Sequence, residues 1–314
     1  MQNHEKDPSL CLVSVVMAAY NTGRFITAAI QSVIEQTHEK WELIVVDDGS
    51  TDDTGQLVRS IPDSRISYYY QDNAGPAAAR QKGVSKASAD YIVFFDSDDV
   101  LRADALQRHV AVLANAPEVC VSYGDEIFMS ESGVVIGSEK RPNYSPRPDG
   151  FILEELLKGN FIFGGASCIR RSCLAEIGDY YHGLLHEDWN MWCRLATVGQ
   201  FRYVGEGPVM QYRLRENSLV RTHGKELEVT LNAIDSVYRD ELITGSVSAK
   251  RLRLLRRKRE VAAYAFSAKH EIAAGNYVSG IRQGVIAIIK DLQNPFDLAL
   301  PRLVLRSMER RCSG

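Results

Sequence analysis

Short apolar runs alternate with amphipathic segments along the first hundred residues of the chain. The apolar runs, each bounded by polar or turn-forming residues, are 12–17, 43–46, 66–70 and 91–95. Between them, apolar residues recur at helical spacing in 26–34, and 77–89 also has a helical pattern. Short apolar runs of this kind are typical of strands that are buried on both faces. Strands separated by helices predict right-handed crossovers, and therefore an α/β fold with a mostly parallel central sheet.

The regular alternation ends near residue 100. Further along, the pattern predicts helices over 101–115 and 187–196 and strands over 119–123, 201–204 and 209–213. From about residue 225 the pattern becomes entirely helical. We therefore predict a single Rossmann-like α/β domain over 1–222, followed by a helical C-terminal region over 223–314.

Composition narrows the class of protein. The chain has 314 residues, of which 45% are hydrophobic and 25% charged, and this is enough apolar material for a full core. No run approaches the roughly 18 apolar residues that a membrane-spanning helix needs. Residues 1–9 are polar and do not resemble a secretory signal, so we expect a cytoplasmic protein. The six cysteines form no C-x-x-C pair, which favours buried, reduced thiols over a disulfide scaffold or a zinc site.

Charge is unevenly distributed along the chain. Residues 249–314 contain 14 Lys and Arg but 5 Asp and Glu, whereas 1–248 contain 23 and 35. The basic run 250–259 has two interpretations. It is either a peripheral contact with anionic lipid at the inner face of a membrane, worth about 1 kcal/mol per charge, or a helix that packs on the acidic remainder. Nucleic acid is not expected as a partner, because no aromatic residues interleave the run and no binding motif accompanies it. We interpret the short apolar run 285–289 as core.

Polar clusters follow three of the predicted strands at their carboxyl ends. They are 20–23, 47–51 and 96–99. In open α/β sheets, ligands bind in the crevice beyond the carboxyl ends of the strands. Three polar clusters at one edge of the sheet therefore indicate a ligand site.

The sharpest of these clusters contains three carboxylates, Asp96, Asp98 and Asp99. Carboxylates so close together repel one another unless a cation or solvent relieves them. Mg²⁺ and Mn²⁺ bind through one or two carboxylates plus phosphate oxygens, so a nucleotide-diphosphate and metal site is one interpretation. A solvated turn that caps a helix is the other.

Other residue types complete the candidate chemistry. The sequence has no Walker loop and no G-x-G-x-x-G, so any phosphate must be neutralised by a metal and by side chains such as Arg80, Arg213 and Arg215. Glu187 and Asp188 stand at a predicted helix start, where they serve either as a catalytic carboxylate or simply as partners of the helix dipole. No nucleophile-elbow signature supports a hydrolase.

Taken together, these residues resemble the family-2 glycosyltransferases, which are inverting nucleotide-sugar enzymes with the GT-A fold. The resemblance covers about 12–218. Six pieces occur in the order of the family: 13–21, 42–52, 73–80, 95–99, 187–188 and 212–213. Each piece is weak alone, but six in order are a specific signal.

The resemblance implies a donor-binding role for a set of residues near the nucleotide. Tyr20 would pack on the nucleobase and Asp48 would accept its imino hydrogen bond, which favours a UDP-linked donor. Ala18 would contact the nucleotide through its backbone, where the family usually has proline. Arg80 would help to hold the nucleotide, and Asp96 would complete the acidic motif.

The resemblance also implies the groups that act on the diphosphate and the acceptor. Asp98 and Asp99 would bridge the ribose and a Mg²⁺ or Mn²⁺ ion, and Asp188 would be the general base. Arg215 stands where the family often has histidine. Arginine does not ligate a metal, but Arg213 and Arg215 can neutralise a diphosphate.

The implied reaction is a single displacement with inversion of configuration, in which sugar passes from a nucleotide sugar to a glycan or lipid-linked acceptor. The metal stabilises the leaving phosphate and one carboxylate takes the proton of the acceptor hydroxyl. Two alternatives stay open. A sugar-1-phosphate nucleotidyltransferase would need a glycine-rich loop where the chain has 18–23, and a non-catalytic nucleotide-sugar binding module would not need a base.

Overall fold

A computed structural model of the chain describes residues 7–137, 147–178, 187–215 and 226–292. Nine strands are present in these residues: β1 Val13–Ala19, β2 Trp41–Asp48, β3 Ile66–Gln71, β4 Tyr91–Asp96, β5 Val100–Leu101, β6 Val119–Met129, β7 Val135–Gly137, β8 Ser167–Arg170 and β9 Gln200–Arg213. The first part of the chain also contains α1 Gly23–Ile34, α2 Thr54–Arg59, α3 Pro76–Lys86, α4 Ala105–Leu113, α5 Leu153–Lys158, α6 Arg171–Ile177 and α7 Glu187–Val198. The last helices are α8 Glu226–Arg239, α9 Glu241–Ser246, α10 Ala249–Ala273 and α11 Tyr277–Leu292.

The described residues divide into two compact units. The first unit comprises 7–137, 147–153, 161–178 and 187–215, and the second comprises 154–160 and 226–292. The predicted domain boundary at 222/223 falls within 216–225, which lies outside the described residues, so that boundary stays a prediction.

All nine strands of the first unit belong to one sheet, in the order β3-β2-β1-β4-β8-β6-β9-β5, with β7 paired to β6. The pairs β2/β3, β1/β2, β1/β4 and β6/β9 are parallel, whereas β8, β5 and β7 pair antiparallel with their neighbours. The predicted α/β fold with a mostly parallel sheet is therefore confirmed. The helical C-terminal region is confirmed over 226–292.

The central strand β1 is buried because helices cover both of its faces. Val13, Val15 and Met17 belong to the same core cluster as the apolar face of α1. On the other face, Val16 is fully buried and lies against Gly83 of α3. A continuous apolar run is what such a strand requires.

Two elements differ from the sequence prediction. The helix predicted over 101–115 begins at residue 105, because Val100 and Leu101 pair with β9 instead. The strands predicted over 201–204 and 209–213 are the two paired ends of one strand, β9. The pairing of β9 with β6 shifts register between them, where Gly205 and Gly207 adopt φ values of 96° and 85° that other residues rarely adopt.

The cysteines correct another expectation. Cys168 and Cys193 are buried and form no disulfide, as expected of reduced core thiols. Cys120 and Cys173 are instead joined by a disulfide, with their Cα atoms 5.8 Å apart. The two residues are 53 positions apart and meet because β6 pairs with β8, which leads directly into α6. Local cysteine spacing carries no trace of this proximity.

The second unit is held together by helix packing and by ion pairs. Helix α10 packs against both α8 and α11. Arg251 of α10 pairs with Glu154 at 2.7 Å, and Arg256 pairs with Asp235 at 2.8 Å. Over the part of the chain that the structure describes, none of the helices has both the length and the hydropathy needed to cross a bilayer.

We expect Gly83→Ala to destabilise the first unit. A Cβ atom at this position would lie 2.3 Å from Cγ1 of the buried Val16. The overpacking should lower the free energy of unfolding by about 1–3 kcal/mol, although alanine favours a helix more than glycine does. Urea unfolding followed by circular dichroism would measure the change.

Gly245→Ala is the matched control in another helix. No atom lies within 4 Å of the Cβ that it would add, so the better helix propensity should raise stability by up to about 1 kcal/mol. A Gly83→Ala protein as stable as the Gly245→Ala protein would contradict the close approach of α3 to β1.

Candidate functional site

The carboxyl ends of β2, β1 and β4 lie side by side at one edge of the sheet. Ala18 of β1 is opposite Val46 of β2 on one side and Asp96 of β4 on the other. The segments that follow these strands therefore emerge next to one another. Tyr20 comes directly after β1 and is half exposed, with 50% of its surface accessible.

The segments after β1 and β2 are joined by hydrogen bonds. Asn21, whose φ is 50°, accepts a hydrogen bond on Oδ1 from the amide of Thr51 at 2.8 Å. Its own amide donates to Oγ of Ser50 at 2.9 Å. The amide of Gly23 donates to Oδ2 of Asp52 at 3.0 Å. These contacts fix the backbone on which Tyr20 stands.

Asp48, the last residue of β2, is 3% exposed and anchors the segment before α3. Its Oδ1 accepts hydrogen bonds from Nε2 of Gln71 at 2.7 Å and from the amide of Ala74 at 3.0 Å. Its Oδ2 accepts from the amide of Gly75 at 2.8 Å. Asp48 thereby fixes the start of the helix that carries Arg80. These three bonds of Asp48 lead to the segment before α3 and not to the acidic cluster at 96–99.

The acidic cluster is enclosed by three arginines. Arg80 of α3 donates to Oδ1 of Asp96 at 2.8 Å. Arg215, just beyond β9, donates to Oδ2 of Asp98, also at 2.8 Å. The third arginine, Arg213, bonds to the side chain of Asp99 and to the backbone of Asp98.

Arg213 connects the end of β9 to the turn between β4 and β5. Its amide donates to Oδ1 of Asp99 at 2.8 Å, and its Nε donates to the carbonyl of Asp98 at 2.6 Å. Its Nη1 donates to the carbonyl of Glu131 at 3.0 Å. The site thus unites residues that are more than a hundred positions apart in the chain.

Burial and mutual repulsion disfavour the charged forms of two of these acids. Asp99 is 2% exposed, and its burial, followed by the nearby charges of Asp98 and Asp96, raises its pKa well above the ordinary value. Burial and the charge of Asp96 also raise the pKa of Asp98, in spite of its bond to Arg215. Negative charge is therefore held here at an energetic cost, which a positively charged ligand group would relieve.

A buried aromatic ring gathers arginines beside the acids. Phe25 of α1 is 8% exposed. Three guanidinium carbons lie 5.0–5.4 Å from the centroid of its ring, those of Arg24, Arg213 and Arg215. Arg24 also pairs with Glu131. Cation–π contacts of this kind keep guanidinium groups near a surface without neutralising their charge.

The charges of the acidic cluster and of Asp188 both act on the pKa of Tyr212. Burial raises the pKa of its hydroxyl, and the charges of Asp99, Asp96, Asp98 and Asp188 add to the effect in that order. Asp188, in the first turn of α7, is half-buried, and its Oδ1 accepts a hydrogen bond from the amide of Trp189 at 2.8 Å. The charge of Asp188 thus adds to the effect of the acids at the end of β4 on the pKa of this half-buried tyrosine.

The acidic cluster suits a divalent cation that also contacts phosphate. Among the described residues, no group of three or more His, Cys, Asp and Glu side chains could hold a metal ion without other ligands. Asp98 and Asp99 supply carboxylate oxygens, and Arg215 is a counterion rather than a ligand. Mg²⁺ commonly binds in this way, through one or two carboxylates plus phosphates and water.

Several residues of the site had no signal in the sequence. The sequence indicates Asn21 only as part of a turn after a strand, although its hydrogen bonds join the segments that follow β1 and β2. Phe25, Arg24 and Glu131 meet Arg213 from distant parts of the chain. Tyr212 belongs to a matched motif, but only the fold reveals that the acids at 96–99 and Asp188 all act on its pKa.

Comparison with known proteins defines the family. The family model described as Glycosyl transferase family 2 matches residues 14–178, which is more than half of the chain. The chain therefore belongs to glycosyl transferase family 2, and it is a glycosyltransferase. The predicted resemblance is confirmed.

Relatives and solved structures agree with this assignment. The chain is 29% identical over 220 residues to WfgD of Escherichia coli, the UDP-Glc:alpha-D-GlcNAc-diphosphoundecaprenol beta-1,3-glucosyltransferase, and the match covers 69% of this chain and 83% of WfgD. By contrast, the chain spans 14% of the length of an uncharacterized glycosyltransferase of Rickettsia bellii, to which it is 44% identical over 96 residues.

Two solved structures show the same fold. S. aureus TarS 1–349, in complex with UDP-GlcNAc, superposes with a TM-score of 0.63 at 16% identity, covering 93% of this chain and 82% of that chain. The mannosyltransferase PcManGT of Pyrobaculum calidifontis, in complex with GDP-Man and Mn²⁺, has a TM-score of 0.59 at 18% identity, covering 97% and 88%. The GT-A type of fold is thereby confirmed.

We expect Asp99→Asn to stabilise the protein without ligands. Asparagine keeps an oxygen for the amide of Arg213 and removes a buried charge that faces Asp98 and Asp96. The melting temperature should rise by roughly 2–4 °C at pH 7, which corresponds to about 1 kcal/mol for a unit of this size. Because folding raises the pKa of Asp99, the charge destabilises the wild-type protein fully at pH values above the folded-state pKa. This destabilisation disappears as the pH falls to the unfolded-state pKa, so the gain in stability from Asp99→Asn should vanish in acid.

Asp52→Asn provides a control of opposite sign. Burial acts to raise the pKa of Asp52, but hydrogen bonds from Thr54 and Gly23 outweigh it and the pKa is lowered. This substitution should therefore reduce the melting temperature near neutral pH and lose its effect in acid. Equal shifts for the two variants would argue against the burial of charge at Asp99.

Proposed function

We propose that the protein is an inverting glycosyltransferase that moves a sugar from a nucleoside diphosphate sugar, UDP-linked as the first choice, to an acceptor hydroxyl. The observation that carries the proposal is the acidic turn after β4, where Arg80 pairs with Asp96, Arg215 pairs with Asp98, and the amide of Arg213 donates to Asp99. This group of carboxylates would serve the donor, and the separate carboxylate of Asp188 would serve the acceptor.

The nucleotide would occupy the edge formed by the ends of β1, β2 and β4. Tyr20 offers a half-exposed ring for stacking on the base. Asp48 is fixed by three donors, and a carboxylate has further lone pairs with which to accept an imino hydrogen. The backbone at Ala18 and the guanidinium of Arg80 would complete the contacts, with Asp96 keeping Arg80 in position.

The diphosphate would be neutralised by the arginines beside Phe25. Arg213 and Arg215 already hold the acidic turn, and their guanidinium groups match the geometry of phosphate oxygens. A bound Mg²⁺ or Mn²⁺ would supply further positive charge to the leaving group. Asp98 and Asp99 are the residues that would hold the ion.

The displacement itself needs a base on the acceptor side. Asp188 would accept the proton of the attacking hydroxyl as the new bond forms at the anomeric carbon and the bond to the diphosphate breaks. Attack from the face opposite the leaving group inverts the configuration. A positioned base of this kind contributes a factor of about 10²–10⁴ to the rate.

The acceptor class follows from a relative rather than from the site. WfgD is named as acting on a diphosphoundecaprenol-linked sugar. We infer that this chain also works in the synthesis of a surface polysaccharide or glycolipid, on a glycan or lipid-linked acceptor. Such an acceptor would be met at the inner face of a membrane, by a protein that remains on the cytoplasmic side.

We expect nucleotide sugars to raise the melting temperature, and UDP sugars to do so most. A ligand that binds only the folded state stabilises it by about 2.7 kcal/mol at a hundredfold excess over its dissociation constant. Thermal unfolding with UDP, GDP and CDP sugars, each with and without Mn²⁺, would measure the effect. If none of the nucleotide sugars in the panel raised the melting temperature, that result would contradict the proposal.

We expect Asp188→Asn to abolish turnover while leaving donor binding intact. Loss of the base should reduce kcat by about 10²–10⁴, because asparagine does not accept a proton at neutral pH. Nucleoside diphosphate release would report turnover, and the thermal shift with the donor would report binding.

Asp104→Asn, at the start of α4, is the matched control and should keep both properties. Equal turnover of the Asp188→Asn protein and the wild type would remove Asp188 from the mechanism. Donor binding without turnover in the wild type would instead indicate a binding module.

A further inference from the structure

Helix α11 carries several of its large apolar side chains on the outside. Five of its exposed residues are apolar and recur with a spacing of about four: Tyr277, Val278, Ile281, Val285 and Ile289, with exposed fractions of 57%, 86%, 48%, 48% and 52%. We call these five residues the apolar stripe. The interpretation of 285–289 as core is therefore wrong for Val285 and Ile289.

Small residues occupy the buried side of the same helix. Gly280, Gly284 and Ala287 are buried, and α11 packs on α10. A Cβ atom at Gly280 would lie 2.6 Å from Cγ1 of Ile272 in α10. Rotation that turned the apolar stripe inward would bring isoleucine and valine to positions where glycine is required. The orientation of the helix is thus fixed by its packing, which explains why an apolar run at 285–289 does not enter the core.

The basic residues of the second unit divide into two groups. Arg251 and Arg256, within the run 250–259, are paired with acids of the same unit. Arg282 is exposed and immediately follows Ile281 of the apolar stripe, and Lys269 is exposed near the end of α10. Over 249–292, which comprises helices α10 and α11, the chain contains 10 Lys and Arg against 3 Asp and Glu, so this pair of helices carries an excess of positive charge.

We propose that α11 lies in the surface of an anionic lipid bilayer, with the apolar stripe in the acyl boundary and Arg282 among the headgroups. The helix has 16 residues and is therefore about 24 Å long, at 1.5 Å per residue. A helix of this type inserts its apolar face by about 5–10 Å without crossing the bilayer. The proposed membrane contact is therefore the exposed face of α11 and not the basic run 250–259, where the sequence suggested it.

Charge and size favour lipid over a second copy of the chain. A symmetric pair of α11 helices would bring the positive excess of one copy against that of the other, whereas anionic headgroups complement it. Five half-exposed side chains on one helix also offer far less than the roughly 800 Å² that each partner contributes to a standard interface. The proposal does not depend on the donor or on Asp188.

Vesicle co-sedimentation of the full chain tests the proposal. The probes are vesicles of phosphatidylcholine alone and of phosphatidylcholine with phosphatidylglycerol. We expect the wild type to sediment with the anionic vesicles and to bind neutral ones at least tenfold more weakly. The triple substitution Ile281→Gln, Val285→Gln and Ile289→Gln should reduce binding to anionic vesicles at least tenfold. Arg282→Gln should reduce it several-fold and weaken its dependence on salt.

A triple substitution in the first unit is the matched control. Val134, Val135 and Ile136 have exposed fractions of 62%, 46% and 57%, and their replacement by glutamine should leave vesicle binding unchanged. Thermal unfolding checks that both triple variants fold. Donor turnover, measured on the same preparations without vesicles, separates the two proposals: vesicle binding without turnover would overturn the proposed function alone.

Three outcomes would overturn the lipid contact. The first is a wild type that does not sediment with anionic vesicles, and the second is an α11 triple variant that binds them as the wild type does. The third is a wild-type dimer, detected by light scattering, that the α11 substitutions convert to a monomer without any vesicle binding. That result would assign the apolar stripe to a second copy of the chain.

Discussion

The hydrogen bond from the amide of Arg213 to the buried carboxylate of Asp99 is the contact on which the site depends. It ties the end of β9 to the turn that follows β4. Strand β5, which comes directly after this turn, also pairs with β9. Because Asp99 is buried among like charges, the turn is held in place against a local electrostatic cost. A buried carboxylate that loses its donors would be costlier still, so the backbone of the turn and the position of Arg213 are fixed together.

The arginines that pair with the acidic cluster have two possible partners, the carboxylates of the cluster and the phosphates of a donor. The cluster at 96–99 gains stability from Arg80 and Arg215, yet a diphosphate would compete for the same guanidinium groups. A cation bound by Asp98 and Asp99 would reduce the competition at Arg215, because Asp98 would then have a second counterion.

The sequence predicts local features of this fold well and distant ones poorly. Short stretches of sequence are enough to show the alternation of apolar strands and helices. The parallel part of the sheet, with polar residues at the carboxyl ends of its strands, then follows from the rules for crossover connections and for ligand sites in α/β sheets. The bond between Arg215 and Asp98 joins residues 117 positions apart, and the Cys120–Cys173 disulfide depends on the neighbours of β8. Such pairs have no periodicity to reveal them, and the residues around Asp188 were assigned by resemblance alone.

Helix α11, whose apolar stripe faces outward, shows why hydropathy alone can assign an exposed segment to the core. An apolar run such as 285–289 suits a core, and the pattern contains the correct apolar residues. Which face turns inward is decided by how closely the neighbouring backbone approaches, and at Gly280 the carbonyl of Ala268 would be 3.0 Å from an added Cβ. Only small side chains fit there, so the large ones must face outward. A rule that weighs side-chain volume along with hydropathy would have placed Val285 and Ile289 at the surface.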